Sequence, residues 1–202
     1  AITARFFNTG QSCIAAKRFL IHEAVYDEFI DKVKKGIDNL IVGDAFNEKT
    51  QIGPLAKKEF VQDLDRLVQS SIEDGAQCLL GSEIDGCYYM PTLLIDVTED
   101  MAVFNEETFG PVFCVTKFKD IDEAVRLANS SQYGLGGSLW TSDIKKAKNI
   151  TRKINTGAIF INDMTKSDPR LPFGGINKSG YGVELSKHGI KEFVNIKTVV
   201  VN

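Results

Sequence analysis

Histidine is scarce in this sequence, with only His22 and His188. The four cysteines, Cys13, Cys78, Cys87 and Cys114, form no CxxC pair. A zinc site needs clustered Cys and His, so no metal is expected. A disulfide framework is also not expected in a chain of this size without a secretory pattern, which leaves reduced thiols and a cytoplasmic setting. Basic excess is missing too. The formal net charge is −3, so no surface stands ready to neutralise phosphates, and nucleic acid is excluded as a partner. No apolar run approaches a membrane span, so no membrane partner is expected. The opening AITARFFNTG has no basic-then-apolar signal pattern. It does not start with Met, and further chain upstream of Ala1 is expected. Internal repeats and low-complexity stretches are absent. What remains is 43% hydrophobic and 25% charged, the balance of an ordinary globular chain.

Short apolar runs alternate with helical periodicity. That pattern reads as an α/β fold with a largely parallel sheet flanked by helices. Residues 16–22 predict a strand. Val25, Phe29, Val33, Ile37 and Leu40 give one apolar stripe for a helix over 24–41. Phe60, Leu64, Leu67, Val68 and Ile72 do the same over 57–74, with Gly75 placed to end that helix. Further strands are predicted at 77–80, 112–118, 136–140 and 157–162. Helices are predicted at 120–129 and 142–154, the latter capped by Ser142. LPFGGINKSGYG reads as an ordered, glycine-rich loop. GVELSKHGIKEF follows as one short helix. VNIKTVVVN, rich in β-branched residues, predicts a terminal strand that needs a partner edge, in its own sheet or in another subunit.

NTGQSC at 8–13 is the segment with chemistry in it. A cysteine after Thr, Gly and Ser, just before a strand, can sit on a turn with its sulfur reachable. The thiolate is the reactive form, and a free thiol near pKa ~8.5 needs help to ionise at neutral pH. Backbone N–H groups of the turn can give part of that help and can stabilise an oxyanion. Spacing alone leaves the alternative open that Cys13 is one more small buried hydrophobe.

F-x-x-x-G-Q-x-C at Phe6–Cys13 resembles the active-site signature of the NAD(P)-dependent aldehyde dehydrogenase superfamily. NEETFGPV at 105–112, YGLGGSLWT at 133–141, INTGAIFIN at 154–162 and LPFGGINKSGYGVELS at 171–186 join it, in the order and near the spacing of that family. The resemblance covers essentially the whole chain and implies the family's catalytic-domain fold. DPRLPFGG is closest in texture to the succinate-semialdehyde type. The resemblance also implies roles. Cys13 would be the nucleophile, forming a thiohemiacetal and then a thioester, and its own N–H one of two oxyanion donors. Glu107 would clamp the nicotinamide-side ribose hydroxyls of NAD or NADP. Phe109 would touch the nicotinamide end, and Phe173 would line the substrate entrance. Lys166 and Arg170, in the variable stretch 163–170, are candidates to meet a substrate carboxylate. Without the resemblance, Glu107 reads as a solvated loop acid, and Phe109 and Phe173 as packing residues.

Two departures bear on substrate. Semialdehyde enzymes often carry Arg where this chain has Phe7, which leaves other aldehydes open. S-G-x-G-R-E appears as SGYGVE, with Val183 in place of Arg. The general-base Glu, the side-chain amide of the oxyanion hole and the cofactor-binding domain would all lie upstream. The organisation expected is therefore a catalytic, nucleophile-bearing body over 1–193 and an oligomerisation strand over 194–202, in a homo-oligomer (dimer or tetramer) acting on a small aldehyde. Two alternatives compete with this reading. One is a non-catalytic structural module that keeps the fold. The other is a cysteine hydrolase, for which the two histidines offer no recognised partner motif.

Overall fold

The computed structural model describes all residues, 1–202. The chain divides into two compact units, Ala1–Ser131 and Gln132–Asn202. That break falls inside the stretch expected as one body.

The first unit runs α1 (Ile2–Phe6), β1 (Arg18–His22), α2 (Tyr26–Asp38), α3 (Lys58–Glu73), β2 (Gln77–Leu80), β3 (Ile84–Asp85), β4 (Tyr88–Tyr89), β5 (Thr92–Ile95), α4 (Ala102–Asn105), β6 (Val112–Phe118) and α5 (Ile121–Asn129). Its main sheet has the order β1-β6-β5-β2, and β3 and β4 form a small separate hairpin. β6 is central and pairs parallel with both β1 and β5, while β2 joins β5 antiparallel. A central strand covered on both faces should read as a continuous apolar run, and VFCVT is buried throughout. Its side chains alternate between two cores. Val112 and Cys114 face α3, α4 and α5, while Phe113 and Val115 face α1 and α2. Phe113 stacks on Phe19 at 3.7 Å between ring centroids and packs at 6.3 Å from Phe6.

The predicted stripes hold at Val33, Ile37, Leu64, Leu67 and Val68 and need correction by one position at their ends. α2 buries Tyr26, Ile30, Val33 and Ile37, whereas Val25 is exposed in a 3-10 turn before the helix. The helix starts later than predicted, and the heavier Tyr26–Ile30 edge wins the core. α3 buries Val61, Leu64, Leu67, Val68 and Ser71. Phe60 stays exposed, with the Lys57 ammonium 5.8 Å from its ring centre. Gly75 ends α3 as expected. Its φ is +110°, and the Gly75 and Ala76 amides donate to the Ile72 and Ser71 carbonyls, which satisfies helix-end acceptors.

The second unit contains β7 (Gly136–Leu139), α6 (Ile144–Thr151), β8 (Ala158–Ile161) and α7 (Ser186–Gly189). β7 and β8 pair in parallel across the α6 crossover, a βαβ unit. The cap of α6 is Asp143 rather than Ser142. The Asp143 side chain accepts from the Lys146 N–H, three residues on in the first turn. The helix predicted after the glycine-rich loop forms as two pieces, α7 and a 3-10 turn over Ile190–Phe193. The terminal strand does not form. Residues 194–202 are exposed and in no ladder, with Ile196 and Val201 about nine-tenths exposed. β-Branched composition supplies the propensity but not the partner edge that a strand requires. No helix is long and apolar enough to cross a membrane.

Candidate active site

Topology brings the two key loops to one end of one sheet. β1 and β6 are adjacent and parallel, with Arg18 opposite Cys114. The segments that enter them therefore arrive side by side. The segment entering β1 carries Cys13, and the segment entering β6 carries Glu107 and Phe109.

α1 gives way to a tight turn over Phe7–Gly10. Asn8 and Thr9 are left-handed, with φ of 50° and 59°, and Gly10 follows at +74°. Asn tolerates that region and Gly favours it, but β-branched Thr does so at a cost. Local bonds hold the conformation. The Asn8 amide donates to the Gln11 carbonyl, and the Thr9 hydroxyl accepts from the Gly53 N–H at 3.0 Å. The Gln11 amide reaches the Pro54 carbonyl and accepts from the Ala56 N–H. Cys13 then sits exposed on a turn closed by the Ala15 N–H to the Ser12 carbonyl at 3.0 Å. A reachable sulfur on an over-determined turn is the arrangement a nucleophile requires.

In the facing loop, Glu107 and Phe109 are exposed and flank the buried Thr108. The residue that joins the two loops is Arg5, which is 1% exposed. Its Nη2 donates to the carbonyls of Gly10 (3.0 Å), Thr108 (2.9 Å) and Gly110 (2.6 Å), and its Nη1 donates to Ala16 (3.0 Å). Burial lowers the Arg5 guanidinium to about 10, with Cys114 and Glu107 acting in the opposite direction, so it stays charged at neutral pH. Lys17 shares this neighbourhood. Burial and Arg18 bring it down to about 8, against the pull of Cys114 and Glu107. Sequence reasoning missed both cations. The available signal was Arg5 itself, the one charge in the first helix.

The remaining candidates lie in the second unit. Phe173 is buried, and its backbone exchanges two hydrogen bonds with Glu184, at 2.9 and 2.7 Å. Lys166 and Arg170 are exposed but engaged locally. Lys166 pairs with Asp163, and Arg170 grips Asp168 with two nitrogens at 2.9 and 2.6 Å. That grip holds the Asp168 carboxyl well below the usual carboxylate range.

The profile of the aldehyde dehydrogenase family matches residues 1–199. The chain belongs to the aldehyde dehydrogenase family. It is 49% identical over 98% of its length to an aldehyde dehydrogenase of Paenarthrobacter nicotinovorans. It is 47% identical over its whole length to "Succinate-semialdehyde dehydrogenase [NADP(+)] 1" of Mycobacterium ulcerans. In both cases it spans 44% of the relative, less than half. Among solved structures, an NAD-dependent aldehyde dehydrogenase from Sinorhizobium meliloti superposes with a TM-score of 0.92 at 36% identity, covering 95% of this chain and 39% of that one. A betaine aldehyde dehydrogenase from Staphylococcus aureus in complex with NAD+ gives 0.91 at 31% identity, covering 95% and 40%. The α/β fold with its mostly parallel sheet is thus that of aldehyde dehydrogenases.

Proposed function

We propose that residues 1–193 form the nucleophile-bearing part of an enzyme that oxidises an aldehyde to a carboxylic acid with NAD or NADP. The observation that carries this reading is the junction described above, where the turn bearing exposed Cys13 is bonded through Arg5 to the loop bearing Glu107 and Phe109. The loop's chemistry suits the ribose–nicotinamide end of such a cofactor. An exposed carboxylate can accept two ribose hydroxyls, and an exposed ring offers an apolar face. The bound cofactor supplies the hydride acceptor.

Cys13 performs the covalent chemistry. Its thiolate adds to the aldehyde carbon, and the carbonyl π pair moves onto oxygen, giving a thiohemiacetal oxyanion. Turn N–H groups beside Cys13 suit that charge. When the oxyanion collapses back to a carbonyl, the C–H bonding pair leaves as hydride and a thioester remains on Cys13. Water then cleaves the thioester, releasing the acid and the thiol. One oxidation is thereby divided into two easier steps. Phe7 lies exposed near the nucleophile, where a carboxylate-gripping Arg would favour succinate semialdehyde. On this reading the substrate is a small aldehyde, with succinate semialdehyde one candidate because relatives such as those of Mycobacterium ulcerans and Mycobacterium bovis bear that name.

The test is steady-state kinetics on the full-length enzyme at saturating cofactor. Cys13→Ser should abolish NAD(P)H formation. Glu107→Gln should lower kcat on the order of 10²-fold, the scale of a misplaced reacting group, with the KM for aldehyde nearly unchanged. Turnover that survives Cys13→Ser would overturn the reading.

A further inference from the structure

We propose that Arg5 is a positioning residue that sets the separation between the Cys13 turn and the Glu107–Phe109 loop. The inference rests on the roles proposed above for Cys13 and Glu107. Its basis is where the four carbonyls sit. Gly10 and Ala16 bracket Cys13 along the chain, and Thr108 and Gly110 bracket Phe109. One buried guanidinium therefore holds both sides of each segment. A lysine could not. It has three donors on a single nitrogen, whereas guanidinium spreads five over a rigid fork.

The main chains also meet directly. A Cβ on Gly10 would collide with the Gly110 carbonyl oxygen and would lie 2.6 Å from Arg5 Nη2. Contact at Gly10 and Gly110 leaves no slack, and Arg5 prevents the loops from parting. The arrangement is demanding. Nη2 shares two hydrogens among three carbonyls, and the buried Nε finds no partner. A purely structural buried position is filled at lower cost by an apolar side chain. A charge that bonds only the backbone of two site loops is explained by what it holds in place.

The test uses the full-length enzyme with Arg5→Lys, Arg5→Met and Gly10→Ala. Three readouts are compared: amide hydrogen exchange over 8–16 and 106–110, cofactor Kd, and kcat per active site titrated through Cys13. The last is measured with protiated and carbonyl-deuterated aldehyde. Arg5→Lys should speed exchange in both segments together by about tenfold, since their opening shares one restraint. Cofactor Kd should stay within about threefold. The kcat per active site should fall about 10- to 100-fold, with a larger deuterium isotope effect, and Arg5→Met should fall further. Should neither Arg5 variant fold, Gly10→Ala keeps Arg5 and wedges the loops apart, and it must show the same signature. If the variants only reduce the number of active sites, with kcat per site and isotope effect unchanged, the proposal is overturned. Cys13→Ser and Glu107→Gln run alongside. Full activity in those two would sink the reading of the site, whereas their loss beside unaffected Arg5 and Gly10 variants would sink only the positioning role.

Discussion

Iodoacetamide at less than one equivalent and pH 7 should alkylate Cys13 before any of the other three thiols. Cys114 is the weakest competitor. Burial pushes the Cys114 thiol up to about 11, with Arg5 and Lys17 only partly opposing it. At pH 7 its thiolate fraction is therefore on the order of 10⁻⁴. A reference exposed thiol near ~8.5 is about 3% ionised. Ionisation alone leaves Cys114 about 300-fold behind such a reference thiol. Access widens the gap, because Cys114 is 2% exposed in the central strand and reagent must wait for the sheet to open. Cys78 is half-buried, and its sulfur donates to the Leu80 carbonyl at 3.3 Å. Cys87 is half-buried between β3 and β4. Cys13 is the exposed one. Peptide mapping by mass spectrometry gives the order of labelling. Raising the pH to 9 should increase Cys114 thiolate about 100-fold and still leave it a minor product. First labelling at Cys78, Cys87 or Cys114 would refute both the access argument and the choice of nucleophile.

Two further outcomes follow from the same structure. Deleting 194–202 from the full-length protein should lower its oligomeric mass by light scattering, because Ile196, Val199, Val200 and Val201 are exposed together and a β-prone edge invites a partner strand; an unchanged mass would remove the tail from the interface. Lys17 should give a measurable pH dependence of stability. Its folded pKa of about 8 lies below the ordinary lysine value of about 10.4, so the unfolded chain binds more protons between the two. Stability then rises as the pH is raised through 8, by on the order of 1 kcal/mol from pH 7 to 9. Cys114, raised by burial, opposes this as the pH passes the ordinary thiol value, by roughly half a kcal/mol at pH 9, and does so equally with and without Lys17. Urea midpoints at pH 7, 8 and 9 should climb in the parent and not in Lys17→Met, and an equal change in both would show that Lys17 is not the cause.

The regular elements were readable where two local signals agreed. β6 matches its predicted range of 112–118 because a continuous apolar run bounded by Gly110-Pro111 and Lys119-Asp120 has one good solution. α3 had both a stripe and a terminating glycine. β5 was missed because Thr92–Ile95 is four residues long and gives no period. Only pairing to β6 defines it as a strand. The hairpin of β3 and β4, two residues each, is smaller still. The tail shows the opposite limit. Its propensity is strong, but a strand is a relation between two segments, and this chain offers those residues no edge.

The site divides along the same line. Cys13, Glu107 and Phe109 were recognisable because their motifs are local strings. Arg5 was not, because what makes it informative is a set of partners at Thr108 and Gly110, more than a hundred residues away. Sheet topology creates that meeting. In open α/β sheets, ligands usually gather at the carboxyl ends of the strands. Here the two loops lie at the amino ends of β1 and β6, where no crossover helix separates them. Adjacent parallel strands fix the approach to about one strand spacing, but they do not fix the loops themselves, whose carbonyls are left without ladder partners. A buried polar group must be satisfied or it costs stability. The guanidinium of Arg5 bonds four loop carbonyls at once, two of which (Thr108 and Gly110) also accept a local backbone N–H, so the bonds that complete the backbone's partners also hold the thiol turn against the Glu107 loop. That is why the charge belongs in the first helix. From α1, which packs Phe6 against Phe113 of β6, Arg5 can reach both loop entries without crossing the sheet.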